Sequence, residues 1–410
     1  MLGVIADDLT GAAEIGAVGL RHGLRAEILL RPFNRPLPPP SKGAAKRQER
    51  AGTPDLLCLD TDSRFCSGTE SARRAAAAAR FLRKAGATLI YKKTDSILRG
   101  QVTPELQAIM RELHLELAIL VPANPSLSRT IHNGHYFIHG QPIHKTDFAR
   151  DPVHPRTSSL VTKLLHKPKR RPLFIRHHLD PLPSAGILVG NAATPSDLQH
   201  WAVRISSQIL TAGGAEFFAA VLNSGADLRS AGSGLLRKPQ GAPSCPLPLA
   251  NDKTQLFICG STSQSTRDFI ATQGRLGTPL FSLPRQLANG SALTGSSARQ
   301  IAAAATAALS SHSRIVLHVG LPLVRGPSLA KNLCSHLIRI AVLVLRNAAV
   351  SHIFVEGGAT AVELVRSMRF HRLTVVQELA PGVATLVADS NLLLTVKPGS
   401  YRWPPCSGGS

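Results

Sequence analysis

The sequence predicts an α/β protein of two domains built on largely parallel sheets. Apolar strand-like runs alternate with helix-like stretches in both halves, and a Gly/Ser/Pro-rich segment from about Ser224 to Pro248 separates them. At 410 residues the chain also exceeds one ordinary core. The expected domains are residues 1–230 and 250–410.

The first strand is Val4 to Ala6, and Thr10-Gly11-Ala12-Ala13 opens a helix, leaving Asp7 and Asp8 at the strand's carboxyl end. Open α/β sheets place their ligand crevice there. Capping by Asp8 or Thr10, worth about 1 kcal/mol, explains one acid and leaves the other unexplained. A second strand runs Arg25 to Leu30, and a third, Leu56 to Asp60, leads into Asp60-Thr61-Asp62-Ser63-Arg64. A helix spans Thr69 to Ala85, and a strand from Thr88 to Lys93 follows. Thr103-Pro104-Glu105 opens the next helix with cap and proline at favoured positions. Leu117 to Val121 is a strand, and His135 to His139 with Gln141-Pro142-Ile143 reads as a hairpin. Beyond a proline-broken stretch at residues 166–183, Gly186 to Gly190 is a strand and Asp197 to Leu210 a helix. The second half has strands at Leu256–Cys259, Arg314–Val319 and His352–Val355, and a long apolar helix from Lys331 to Asn347.

Hydrophobic residues make up 43% of the chain and mean hydropathy is +0.05, values of a soluble globular protein, while 4% aromatic content leaves the cores to Ala, Val, Leu and Ile. The longest apolar stretch, Leu337 to Val350, is interrupted by Arg339 and Arg346, so no membrane span is expected. No basic region precedes the first apolar residues, so no secretory signal is expected. Six scattered cysteines without a Cys-x-x-Cys pair suit reduced thiols in a cytoplasm. A net charge of +22 raises nucleic acid as a partner. The basic residues bunch in Arg31–Arg50 and in His166–Pro172 with Arg176-His177-His178, without interleaved aromatics. Solvated loops that attract anionic metabolites fit better, and no nucleic-acid partner is expected.

The residues richest in chemistry lie after strands. Lys92-Lys93-Thr94-Asp95-Ser96-Ile97-Leu98-Arg99-Gly100 supplies cations for a carboxylate and an acceptor for a hydroxyl proton; its bland reading is a surface ion-pair cluster. Arg64 suits bidentate clamping of a carboxylate, although a capped turn explains its segment equally well. Arg129 follows the Pro122-Ala123-Asn124-Pro125 turn and is placed to face the same crevice. In the second half Gly260-Ser261-Thr262-Ser263 and Glu356-Gly357-Gly358-Ala359-Thr360 each join a strand to a helix, where backbone N–H groups can meet phosphate. Ala380-Pro381-Gly382-Val383 and Lys397-Pro398-Gly399-Ser400 are further glycine turns. No Walker-type phosphate loop, protein-kinase catalytic loop or His-Glu-x-x-His is present. Hairpin spacing would put His135 and His139 on one sheet face near His132 and His144. No acid or cysteine completes a ligand set there, and no metal ligands are assigned.

Together these segments resemble the four-carbon acid sugar kinase family. The matching stretches are Ile5 to Ala12, Lys93 to Gly100, Pro122 to Pro125 with Arg129-Thr130, Phe148 to Pro155, Gly260-Ser261, Gly357 to Thr360, Ala380 to Val383 and Lys397 to Gly399. The resemblance implies an amino-terminal domain that binds a sugar acid, a carboxy-terminal domain that binds nucleotide, and an active site in the cleft between them. It implies ATP-dependent phosphorylation of D-threonate or D-erythronate at the terminal hydroxyl, with ATP and Mg2+ as cofactors. Phe148 to Pro155 looks like this branch rather than the 3-oxo-tetronate one, which stays as the alternative. Asp7, Asp8, Arg64, Lys93, Thr94, Asp95, Ser96, Arg99 and Arg129 would line the substrate pocket. Arg64 and Lys93 would neutralise the acid, and Asp95 or Asp8 would take the hydroxyl proton. Ser261, Ser263, Gly357, Gly358, Ala359, Thr360, Gly382 and Gly399 would hold the nucleotide. Ser128 before Arg129, Ala359 and the basic insertions depart from the family's pattern. A nucleic-acid-binding protein on an inactive kinase scaffold is the alternative of another class. Oligomeric state is left open, a homodimer included.

Overall fold

Burial on both faces is what the near-continuous apolar strands of the first half demand, and the computed structural model supplies it with an all-parallel sheet flanked by helices. It describes residues 1–30, 53–151, 154–165, 171–225, 254–320, 327–388, 392–399 and 401–404. Described residues up to 225 form one compact unit and those from 254 onward a second. The first basic insertion, most of the second, nearly all of the Gly/Ser/Pro-rich linker, Cys245 and Cys406 lie outside the described residues.

In the first unit β1 (Leu2–Ala6) is wholly buried and leads into α1 (Leu9–Arg21), with β2 (Ala26–Leu30) and β3 (Leu56–Asp60) following. Helix α2 (Gly68–Lys84) is capped by the Ser67 side chain and buries Ala75, Ala78, Ala79 and Leu82, so its alanine-rich stripe allows close packing on the sheet. Next come β4 (Leu89–Lys93), α3 (Val102–Leu113) and β5 (Leu117–Val121). β6 (Arg129–His132), β7 (His135–Ile138) and β8 (Gln141–Pro142) make a separate antiparallel sheet. The chain continues through α4 (Val161–Leu164), β9 (Leu173–Arg176), β10 (Gly186–Gly190), α5 (Pro195–Ala202), β11 (Ile209–Gly213) and α6 (Ala215–Ser224). The strand order is β2-β3-β1-β4-β11-β5-β10-β9, with every pairing parallel. The connection from β3 to β4 crosses over β1, creating the topological switch beside which such sheets bind ligands.

Three expectations need correction. The stretch from Asp197 to Leu210 is not one helix: α5 ends at Ala202, and Ile209–Gly213 is the strand that fills the slot between β4 and β5. A four- or five-residue apolar run has no period that separates strand from buried helix, so the open slot in the sheet decides. Leu173–Arg176, hidden in the proline-broken stretch, adds an edge strand. The hairpin gains β6, and β7 stops at Ile138; His139 turns with φ +48° and so does not share a sheet face with His135.

The second unit contains β12 (Gln255–Cys259), α7 (Gln264–Arg275), β13 (Leu280–Ser282), α8 (Gly295–Leu309), β14 (Arg314–His318), α9 (Pro327–Asn347), β15 (His352–Glu356) and α10 (Gly358–Ser367). It ends with β16 (Arg372–Ala380), β17 (Val383–Ala388) and β18 (Leu393–Lys397). The order is β13-β14-β12-β15-β18-β17-β16; the first five are parallel, and β17 runs antiparallel to both neighbours. Register aligns Cys259, Glu356 and Lys397 across the sheet, so the loops after β12, β15 and β18 start at one level. No helix among the described residues is long and apolar enough to cross a membrane.

Gly213 ends the inserted strand at φ +156°, and a Cβ there would lie 2.1 Å from the Val121 carbonyl oxygen. Gly213→Ala is expected to cost about 2–4 kcal/mol of unfolding free energy, read by urea denaturation; an unchanged midpoint would mean this junction is slack.

Candidate active site

Two carboxylates ending β1 meet one guanidinium ending β3. Asp8 is the N-cap of α1: its Oδ1 accepts from Gly11 N at 2.8 Å and its Oδ2 from the Thr10 hydroxyl at 2.7 Å. Asp7 is gripped as a fork, with Arg64 Nε donating to Oδ2 at 2.8 Å and Nη2 to Oδ1 at 2.9 Å. The remaining nitrogen, Arg64 Nη1, donates to Asp8 Oδ2 at 2.6 Å and stands 3.8 Å from Asp95 Oδ1. Arg64 thus clamps a carboxylate bidentately, and that carboxylate belongs to the protein. Burial alone would raise the Asp7 carboxyl; Arg64 and Lys92 outweigh it and hold it below the usual carboxylate range.

The loop after β4 completes the cluster. Asp95 accepts from the backbone N–H groups of Ile97 and Arg99 and from Arg99 Nε through Oδ2, and from Arg99 Nη2 at 2.9 Å through Oδ1. Despite the upward push of burial, Arg99 and Arg64 hold it well below the usual range. Arg99 also reaches Asp151 at 3.3 Å. Lys93 turns to Glu14 at 2.9 Å, and that carboxylate outweighs burial to raise the ammonium above its ordinary value. Thr94 is buried with its hydroxyl unpartnered, whereas the Ser96 hydroxyl accepts from Arg129, whose guanidinium lies over the Phe148 ring. The structure therefore brings Asp7, Asp8, Arg64, Lys93, Thr94, Asp95, Ser96, Arg99 and Arg129 into one neighbourhood at the carboxyl ends of β1, β3 and β4.

Sequence reading missed the residues beneath and beside this cluster. Lys92 and Glu105 form a fully buried pair at 2.8 Å, with the Ser63 hydroxyl on the other Glu105 oxygen at 2.5 Å. Glu105 lies in the first turn of α3 and Glu14 on α1, and no local pattern singles out either. Arg156 is 7% exposed and donates to the carbonyls of Leu98 at 3.0 Å and His154 at 2.8 Å, with no carboxylate within 4.0 Å among the described residues. Burial lowers its pKa, outweighing the upward pull of the more distant Asp95 and Asp151 carboxylates. The one signal for it is an arginine directly after the Phe148 to Pro155 stretch.

In the second unit three loops meet. Gly357 has φ +98°, no side chain caps α10, and the Gly357 N–H is spent on the Lys397 carbonyl at 2.9 Å, so the first N–H groups of this helix have no side-chain cap. A Cβ on Gly260 would lie 1.9 Å from Thr360 Oγ1, and one on Gly399 would lie 3.0 Å from Ser261 Oγ and 4.0 Å from Gly357 Cα. Ser261, Gly357, Gly358, Ala359, Thr360 and Gly399 are thereby gathered. Ser263 caps α7 and donates to the Gly399 carbonyl at 2.8 Å, which makes it a brace between two loops. Gly382 packs against Tyr401: a Cβ there would lie 2.4 Å from the ring. Beneath the loops Glu356 is fully buried; it accepts from Thr266 Oγ1 and from Trp403 Nε1 at 3.2 Å, and pairs with Lys397 at 3.3 Å. Burial pushes the Glu356 carboxyl up and the Lys397 ammonium down.

A family model described as a sugar-binding N-terminal domain matches residues 2–221, over half of the chain, and one described as a nucleotide-binding C-terminal domain matches residues 256–401. The chain belongs to the four-carbon acid sugar kinase family. It is 32% identical to a D-erythronate kinase of Heliobacterium modesticaldum over 46% of this chain and 40% of that protein. A D-threonate kinase of Salmonella typhimurium is 31% identical over 42% of this chain and 37% of its own. These two matches each take in well under two thirds of the relative's length. A 3-oxo-tetronate kinase of Cupriavidus necator is 26% identical over 98% of this chain and 95% of that protein. Two solved structures share the fold: a Salmonella typhimurium protein at TM-score 0.73 and 18% identity, covering 98% of this chain and 96% of its own, and a Haemophilus influenzae protein at 0.65 and 20%, covering 97% and 96%.

Removing the Arg64 guanidinium leaves two buried carboxylates without their shared cation. Arg64→Met is expected to cost about 3–5 kcal/mol at neutral pH in urea denaturation. A carboxyl whose folded pKa is depressed stabilises the fold above its unfolded value and loses that contribution as pH falls. The deficit of the variant should therefore narrow below about pH 4.

Proposed function

We propose that this protein is an ATP-dependent kinase that phosphorylates the terminal hydroxyl of a four-carbon aldonic acid, D-threonate or D-erythronate, to the 4-phosphate. The observation that carries the reading is the buried ring of acids and cations at the carboxyl ends of β1, β3 and β4, in the unit that matches the sugar-binding model. The first unit binds the acid and the second binds Mg·ATP. A loose phosphoryl-transfer transition state asks for positioning and charge compensation more than for a strong base, which suits a fully ionised Asp95 as acceptor of the hydroxyl proton. Asp8 holds the entrance of α1 and shares Arg64, so its part is to fix the acceptor's surroundings. Asp7 keeps Arg64 aimed. Thr94, with its unpartnered buried hydroxyl, meets a substrate hydroxyl. Lys93 and Arg64 contribute positive potential from their paired positions, and Arg156 supplies the cation that remains for the substrate carboxylate.

In the second unit the uncapped entrance of α10 receives the phosphates through backbone N–H groups, with Ser261, Thr360 and Gly399 around them. Both Glu356 oxygens are taken by Thr266, Lys397 and Trp403. This carboxylate fits a bracing role, and magnesium would enter with the nucleotide to neutralise phosphate charge.

A 3-oxo-tetronate acceptor is the second reading, favoured by the relative that aligns over 98% of this chain. ADP release across threonate, erythronate and 3-oxo-tetronate stereoisomers decides between them. Preference for one aldonic acid supports the proposal, and preference for a 3-oxo acid replaces it.

Asp95→Asn is expected to lower kcat about 10²-fold or more while ATP affinity, read by equilibrium binding, stays near that of the parent; near-normal turnover removes Asp95 from its role. Arg156→Met is expected to raise the KM for the acid about tenfold or more with a smaller change in kcat, since a charged hydrogen bond of about 1.5–3 kcal/mol is lost from substrate binding. Arg156→Lys should recover part of it.

A further inference from the structure

The sequence's histidine pair at 177–178 stands apart from the cluster described above and has no part in the proposed phosphoryl transfer. His177 and His178 follow β9, and Asp197 lies in the first turn of α5. One ligand atom from each of the three side chains falls within 4.8 Å of the other two. The Asp197 carboxylate is held in place by its Oδ2, which accepts from the Ala193 and Thr194 N–H groups at 2.9 Å each, and by the capping box with Thr194. Its other oxygen, Oδ1, is left facing His178 Nδ1 at 3.5 Å.

That separation is long for a hydrogen bond, and His178 Nδ1 is buried without a partner. It is close to the edge of a tetrahedron, about 3.4 Å for ligands about 2.0–2.1 Å from a zinc-type ion. The side chain of His178 is only 10% exposed, so the orphaned nitrogen carries a real desolvation cost that a ligand would remove. Its ring is stacked on that of His200 at 4.4 Å between centroids and lies 4.0 Å from that of His177, which limits its rotation. The loop carrying the two histidines is fixed in turn: the His177 N–H donates to Asp180 Oδ2 at 2.8 Å, and Arg204 donates to the carbonyls of His178 and Asp180.

We propose that His177, His178 and Asp197 form a binding site for a divalent transition ion of the zinc type, with a fourth position open to water. Two imidazole nitrogens and one carboxylate oxygen are the donor set that such ions prefer over magnesium or calcium. The ion would clip the end of β9 to the start of α5, a structural role independent of the kinase reading.

The test is a titration of the tag-free full-length chain with Co2+, followed by the visible absorption of the ion and by competition with Zn2+. One equivalent of binding is expected. It should weaken about tenfold or more in His177→Ala and in His178→Ala, and stay unchanged in His135→Ala, which removes a histidine elsewhere on the same unit. Because His177 is exposed, its variant keeps the fold even if loss of the packed His178 ring does not. Absence of binding in the parent chain, or binding that the His177 and His178 variants leave unchanged, overturns the proposal.

Discussion

The first unit depends on a single shared cation. Arg64, placed by the end of β3, satisfies Asp7 and Asp8 at the end of β1 and faces Asp95 at the end of β4. Three carboxylates gathered on a buried surface would repel one another and resist ionisation. Burial acts against the charge of Arg64 too, but the three acids outweigh it and raise its pKa well above its ordinary value. A buried ion cluster of this kind adds little net stability, because desolvation offsets attraction, yet each member becomes costly to remove. The charge pattern is therefore locked to the parallel register of β3, β1 and β4.

Behind Arg64 lies a deeper layer, in which Lys92 pairs with Glu105, and Lys93 with Glu14. Side chains alternate across a strand, so these two adjacent lysines of β4 reach opposite faces of the sheet and meet helices α3 and α1. The unit that matches the nucleotide-binding model uses the same device with fewer charges. Glu356 and Lys397 occupy neighbouring register positions, and their pairing ties the turn after β18 to the loop after β15. In both places fixed dipoles and charges are in position before any ligand arrives, which is how a site avoids reorganisation cost during reaction.

Much of this was readable from residue order. Asp7-Asp8 after an apolar run, Lys93 to Gly100 after another, and glycines at Gly260 and Gly357 each sit on a strand-to-helix junction, and the predicted strands up to Val121 match the observed ones within a residue or two. The partnerships were not readable. Arg64 looked free to clamp a ligand because Asp7 stands 57 residues before it. Glu14 and Glu105 lie on helices whose inward faces are defined only once the sheet is assembled, and Arg156 becomes notable only when its neighbours prove to be carbonyls. The error over Asp197 to Leu210 has a related origin. Ile209 to Gly213 lacks a distinctive period, and it is a strand because β4 and β5 leave one space between them.

By itself the sequence determined the alternation of strands and helices, the division into two α/β units and the charged and glycine-rich loops after the strands, because apolar periodicity, caps and glycine turns are local signals. Only the tertiary structure decided which charges neutralise one another, which buried cation meets carbonyls instead of a close carboxylate, and where β11 inserts. Those outcomes depend on desolvation and on distances of a few ångströms between residues far apart in the chain, and no local pattern encodes them.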